Sequence, residues 1–298
     1  MSNAMLSIRG FLDYFEHELN RSQCTINSYS EDLQAFEKYF KSLPGSISWE
    51  TVDADVIRDW MESMMDKGNK ASSVGRRLSA LRTFYRYALM KHYVDTDPAH
   101  RVLVPKKEKP LPQFLKEDEM NELLDRQKWG DDFGSVRART IIITFYETGM
   151  RLSELLGLDD RDVDMVNRVV KVTGKGDKQR VIPFGDELYK TLEDYLKLRD
   201  VSVERKSTAL FLSDKGQRVS ASAVRKMVKE KLSRVCSLKK KSPHVLRHTF
   251  ATAMLNHDAG IESLKRLLGH AKLSTTEIYT HTTFEQLKRV YTQAHPRA

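Results

Sequence analysis

The sequence predicts a mainly α-helical chain in two parts: an amino-terminal bundle of four helices, and a larger carboxy-terminal helical domain holding a small antiparallel β-sheet. Three observations carry this. Apolar residues recur at helical spacing through residues 8–88. Two short runs rich in β-branched residues flank the turn sequence GKGDK. Between the parts lies VLVPKKEKPLPQFL, with three prolines, four charges and no sustained period.

In chain order, Met1 to Ala4 ahead of a second methionine, Met5, reads as a cloning scar. The first helix is expected on the stripe Ile8, Phe11, Leu12, Phe15 and Leu19, the second on Ile26, Tyr29, Leu33, Phe36 and Phe40 after a Ser22 cap. Val56, Ile57, Trp60, Met61 and Met64 mark a third, and Val74, Leu78, Leu81, Tyr85 and Ala88 a fourth. Arg76, Arg77, Arg82 and Arg86 fall off that last stripe, so this helix is expected to present guanidinium groups outward. Asp97-Pro98 closes a first domain over residues 5–101, residues 102–115 form a basic tether, and residues 116–298 form the second domain.

The second domain is expected to open with helices through about Leu124 and from Val136 to Glu147, the latter delivering TGMRLSELLGL at a turn. Gly149 supplies conformational freedom there, Arg151 precedes the next helix, and Glu154 is the expected ion-pair partner for it. Arg168 to Thr173 and Gln179 to Pro183 make a hairpin with Lys175 and Lys178 in its turn. A short strand near Leu210 to Leu212 and a helix capped by Ser220 follow.

The net charge is +9, and it is unevenly placed: residues 1–101 carry 13 basic and 14 acidic side chains, residues 102–298 carry 37 and 27. Residues 67–91 hold seven basic residues and no acid, and Arg218 to Lys241 hold nine with the single acid Glu230. Such clustering suits a polyanion, and Arg225, Lys226, Lys239, Lys240 and Lys241 are the candidates for tracking phosphates. No apolar run approaches membrane-spanning length. Two cysteines, Cys24 and Cys236, far apart in sequence, indicate neither a disulfide framework nor a zinc site and suit a reducing cytoplasm.

The densest signal is Ser242 to His281, SPHVLRHTFATAMLNHDAGIESLKRLLGHAKLSTTEIYTH. Ser242 and Pro243 suit the cap and first position of a helix whose His244 and Arg247 share a face. A second helix should run from about Ile261 to Leu268, ended by Gly269 just before His270. Ser274 to Glu277 is a capping box that starts a third helix carrying Tyr279. Each residue alone has a structural explanation, and His244 with His248 has helical metal spacing, yet Val245 stands where a metalloprotease keeps its glutamate. Residue types and spacing alone indicate a basic, histidine-rich DNA-binding domain.

HVLRH followed by LGHAKLSTTEIYTH resembles the signature of the tyrosine recombinase (phage integrase) family, His-x-x-Arg, then Leu-Gly-His and a nucleophilic tyrosine nine residues on. TGMRLSEL around Arg151 and the Gly-Lys-Gly setting of Lys175 are similar to its upstream elements, and SSVGRRLSALRTFYRY resembles its SAM-like core-binding domain, where Arg76 and Arg82 match DNA-contacting positions. The ending His295-Pro296-Arg297-Ala298 is similar to bacterial Xer recombinases.

The resemblance implies a site-specific recombinase with Tyr279 as nucleophile, Arg151 and Arg247 clamping the phosphate, His270 donating to it, His244 assisting the tyrosine proton, and Lys175 as general acid. It implies double-stranded DNA with paired half-sites as substrate, and a tetramer of this chain alone or with a second recombinase. It implies no metal or cofactor, and a nucleoid-associated cytoplasmic location. It also implies that the amphipathic tail bearing Phe284, Leu287, Val290 and Tyr291 docks on a neighbouring protomer. Chromosome dimer resolution, integration and inversion all remain open. A non-catalytic DNA-binding protein would not need the six residues together, and a type-IB topoisomerase would not need the tail.

Overall fold

The computed structural model describes residues 6–104, 113–174, 176–269 and 281–297, and the side chains of the last stretch from Gln286 onward. The chain divides into two compact units, Met1–Pro110 and Leu111–Ala298. No helix among the described residues is long and apolar enough to cross a membrane.

The first unit is four helices, α1 (Ile8–His17), α2 (Gln23–Phe40), α3 (Ala54–Asp66) and α4 (Ala71–Met90). Their stripes meet in an aromatic core in which Phe36 packs 4.8 Å from Trp60, and Trp49 packs 4.4 Å from Phe84, between ring centroids. Rings that large bury much apolar area for little side-chain entropy, so they dominate so small a core. Asp53 caps α3 through its carboxylate on the N–H groups of Asp55 and Val56, while Ser22 makes no such bond to α2. Leu19 lies beyond the end of α1 and is 38% exposed, so it is not part of the expected stripe. Trp49 belongs to no helix, yet its backbone carbonyl accepts from the Tyr85 hydroxyl at 3.0 Å.

The second unit is built around α6 (Phe133–Thr148), whose last eleven residues but one are buried, against α8 (Asp186–Ser202) and α10 (Pro243–Asn256). It is preceded by α5 (Glu117–Asn121) and a π-helical turn at Glu122–Arg126. Asp132 caps α6 on the N–H of Ser135, which starts the helix three residues earlier than apolar spacing indicated. After α7 (Leu152–Gly157) come β1 (Val163–Asp164), β2 (Val169–Thr173) and β3 (Gln179–Pro183), an antiparallel sheet in that order, with Val170 opposite Ile182 and Val172 opposite Arg180. The remaining helices are α9 (Ala221–Leu232), α11 (Ile261–Leu268) and α12 (His281–Ala294).

Three expectations are corrected here. The helix α8 was not expected at all; its buried face interleaves Leu188, Leu192 and Tyr195 with the polar Thr191 and Arg199, which thins the apolar stripe. Residues 210–212 form no strand: two isolated bridges, Asp159 with Ala209 and Leu212 with Arg218, hold that segment. Within the tether expected over 102–115, Val102 and Leu115 each lie in the core of a unit, both 2% exposed.

In this chain the tail packs on its own unit. Leu287, Tyr291, Ala294 and His295 are buried, and the Tyr291 hydroxyl donates to Glu147 at 3.1 Å. Arg297 then bonds Asp125, Glu187 and Asn121 at 2.9, 2.7 and 2.8 Å. The helix start expected at Ser274 to Glu277 lies outside the described residues.

Candidate active site

Helix ends create the site. The last carbonyls of a helix have no partner within it and sit at its negative pole, so they attract guanidinium groups. At the end of α11, three consecutive carbonyls receive three different arginines: Leu267 accepts from Arg180 Nε at 2.7 Å, Leu268 from Arg247 Nη2 at 2.7 Å, and Gly269 from Arg151 Nη2 at 3.3 Å. Arg247 also donates to the carbonyl of Gly149, just past α6, at 2.6 Å. Gly149 is in the left-handed region, φ 58°, and a side chain there would meet the Phe250 ring at 2.3 Å, so only glycine lets α6, α10 and α11 close to this distance.

Glu154 is the counter-ion. Its carboxylate takes a fork from Arg180, 2.8 Å to each oxygen, a single bond from Arg151 Nη1 at 2.8 Å, and the backbone N–H of Arg151 at 2.7 Å. Burial alone would raise its pKa, but these donors, Arg180 foremost, outweigh that and hold it at about 2. One carboxylate against Arg151, Arg180 and Arg247 leaves the pocket positive. Burial, followed by the charge of Arg151, pulls Arg247 down to about 10, the mark of a cation held without a full counter-ion. His244, at the first turn of α10, is held below its ordinary value by the packing around its ring and then by the charges of His248, Arg247, Arg151 and Arg225. A neutral imidazole beside two guanidinium groups can accept a proton while they bind an anion.

Of the expected catalytic residues, Arg151, His244 and Arg247 thus gather at one place. Lys175, His270 and Tyr279 lie outside the described residues. Gly174 closes the hairpin turn by donating to the Lys178 carbonyl at 2.8 Å, and Lys178 is exposed. Arg225 and Lys226 on α9, with Lys239 and Lys240 after it, are exposed, and Lys241 is half-buried. Arg180 was missed. Its signal was legible: in β3 it falls on the buried side of the alternation, opposite Val172, where a charge needs a partner. Among the described residues no group of three or more side chains could hold a metal ion.

Comparison with known proteins places the chain in a family. The family described as "Phage integrase family" matches residues 113–286, and "Phage integrase, N-terminal SAM-like domain" matches residues 8–92. Two proteins named tyrosine recombinase XerC are similar over nearly the whole length. That of Pelotomaculum thermopropionicum is 40% identical over 98% of this chain and 98% of its own. That of Chlorobaculum tepidum is 36% identical over 97% and 94%. The chain belongs to the phage integrase family of tyrosine site-specific recombinases.

The fold is shared more widely. The Tn1549 transposon integrase in complex with circular intermediate DNA superposes with a TM-score of 0.71 at 21% identity, covering 95% of this chain and 99% of that one. The XerH recombinase bound to its palindromic difH substrate gives 0.69 at 23% identity, covering 96% and 84%.

In the recombinase's first unit the α4 arginines are less free than expected. Arg82 is turned inward and donates to the carbonyls of Ala99 at 3.1 Å and Val102 at 2.6 Å. Arg76 pairs with Asp32, itself 3% exposed, and Arg77 lies 3.6 Å from the same carboxylate. Arg86 is exposed.

Proposed function

We propose that this recombinase cuts and rejoins duplex DNA through a 3′-phosphotyrosine on Tyr279. The observation that carries this is the convergence of Arg151 and Arg247 on the carbonyls of α11, immediately ahead of the segment bearing His270 and Tyr279. Two anchored forks with donors to spare can bind the non-bridging oxygens of a phosphate and stabilise the charge that builds in the transition state. Tyr279 Oη attacks phosphorus and passes its proton toward neutral His244. The 5′-oxygen departs with a proton from Lys175, and His270 donates to a non-bridging oxygen. The phosphodiester energy is kept in the covalent bond, so a 5′-hydroxyl from a second duplex reseals the strand in recombinant form.

The exposed Lys178, Arg225, Lys226, Lys239 and Lys240 supply phosphate contacts around the pocket. One pocket cuts one strand, so exchange between two duplexes takes four protomers on paired half-sites, either of this chain or with a second recombinase. Chromosome dimer resolution in the nucleoid, integration and inversion would all use this same chemistry. A non-catalytic binding protein is disfavoured because phosphate tracking needs surface cations, not a buried Arg247.

The test is Tyr279→Phe. It removes one oxygen and no charge, so it should bind site DNA as the wild type does and form no covalent complex on a nicked site. Adduct at the wild-type level would overturn the assignment.

A further inference from the structure

We propose that Arg180 is a positioning residue for the phosphate clamp: by saturating Glu154, it holds Arg151 in a single-contact pose that leaves donors for the scissile phosphate. The inference rests on the reading of Arg151 as part of that clamp.

A carboxylate offers two oxygens and about four lone-pair directions. Glu154, 2% exposed, spends them on the Arg180 fork, the Arg151 backbone N–H and one bond from Arg151 Nη1. The two arginines therefore share it unequally. Arg180 is buried, 7% exposed, and fixed at its far edge by Leu267. The Arg151 side chain is 35% exposed, makes a single bond to the carboxylate, and reaches Gly269 with its other terminal nitrogen. Arg151 sits only three residues from Glu154, at the start of the same helix, and is the nearest fork able to take both oxygens. A buried carboxylate that loses one cation draws the remaining one in, because paired geometry is what offsets its desolvation. Without Arg180, Arg151 would close onto Glu154 and turn its donors away from the substrate. Arg180 also offsets the charge of Glu154, which would otherwise cancel that of Arg151.

Nothing about this role requires Arg180 to touch DNA. Gly269 leaves room for it, since a side chain there would stand 3.0 Å from Arg180 Nη1. Its strand places it opposite Val172, on the inward side of the hairpin.

The test uses the full chain and a duplex site selected by binding from random sequences, made with either a natural scissile phosphate or an uncharged methylphosphonate. If an arginine serves to neutralise the phosphate, removing the phosphate charge removes most of the need for it. Arg180→Lys keeps a cation but not the planar fork. It should bind the site as the wild type does and form covalent adduct on the natural phosphate roughly a hundredfold more slowly, the usual penalty for a misplaced catalytic group. On the methylphosphonate the gap between R180K and wild type should largely close, as it should for Arg151→Ala. A packing defect would slow both substrates alike. If the R180K gap is the same on both while the Arg151→Ala gap closes, or if R180K cleaves the natural phosphate at the wild-type rate, the inference is overturned and the clamp stands. If neither gap closes, the clamp reading falls and takes the inference with it. Should R180K fail to fold, Arg180→Gln leaves Glu154 still paired with Arg151, and the same comparison applies.

Discussion

Each unit of this recombinase carries a cluster of arginines, and the two clusters use the same chemistry to opposite ends. In the first unit Arg82 closes on the carbonyls of Ala99 and Val102 and pins the end of the domain to α4. In the second, Arg151 and Arg247 close on the carbonyls of Gly149, Leu268 and Gly269, and the same bonds hold the two cations near each other. A guanidinium has five donors. What separates a structural arginine from a substrate-binding one is whether its partners consume them and whether a second cation stands beside it. Arg82 donates to backbone alone, whereas Arg247, its pKa lowered chiefly by burial, also has the charge of Arg151 beside it.

The largest effect should come from Arg247→Ala. On the proposed role it removes a clamp member, which costs about 10²–10³-fold where a single charge-stabilising donor is lost. It also strands the buried carbonyls of Gly149 and Leu268, each at about 1–3 kcal/mol. Adduct formation should fall by at least a hundredfold and the second unit should melt earlier, whereas the first unit should keep its hydrogen-exchange protection. A variant that melts early yet cleaves at the wild-type rate would place Arg247 with Arg82, as a structural residue.

How far this contrast was legible depended on what local spacing can encode. Gly269 after Leu268 and Pro243 after Ser242 set helix ends through backbone preference, and the structure has both. Periodicity also found the four helices of the first unit and both strands of the hairpin. It failed where burial is not apolar, as where α8 turns Thr191 and Arg199 inward. It failed again for Arg82, since leaving the apolar stripe says that a side chain avoids the core but not which carbonyls it finds. Partners more than a turn away, such as Arg180 with Glu154 or Arg297 with Glu187, are properties of the fold, and no window of sequence contains them.

A second difference between the units is acid-base. In the second unit the tail is held by a buried pair of titrating groups on either side of Tyr291. Glu147 is pushed up to about 8, chiefly by burial, and His295 is pushed down to about 4, again by burial. The folded Glu147 keeps a proton that the unfolded chain, near 4.5, has lost, so its contribution is whole below 4.5 and is lost as pH rises toward 8. His295 has the reverse sign: its contribution is whole above about 6.5 and is lost as pH falls toward 4. Between 4.5 and 6.5 the two slopes cancel. Stability of the second unit should therefore be flat across that window and fall by about 2 kcal/mol from pH 6.5 to 8. Below 4.5 it should fall again, as Glu154 and His295 protonate. Denaturant titration of the full chain, followed by hydrogen exchange on 281–297, reads this. Glu147→Gln should flatten the alkaline limb, and an unchanged limb would assign it to another group.

The smallest effects sharpen the contrast most, because they compare two arginines one turn apart on α4. Arg82→Ala should destabilise the first unit by about 2 kcal/mol, through buried carbonyls left without a charged donor. It should leave the salt dependence of site binding unchanged, since its donors are already spent. Arg86→Ala touches no described partner and should change stability by less than about 0.5 kcal/mol. If its exposed guanidinium meets a phosphate, its loss should reduce the slope of log affinity against log salt by about 0.9. Salt titrations of both variants on the same duplex decide between two uses of one residue type. A reduced slope for Arg82→Ala, with wild-type exchange protection around Ala99 to Val102, would mean that Arg82 leaves those carbonyls for DNA. The first unit would then hold its arginines on backbone only until a phosphate replaces it.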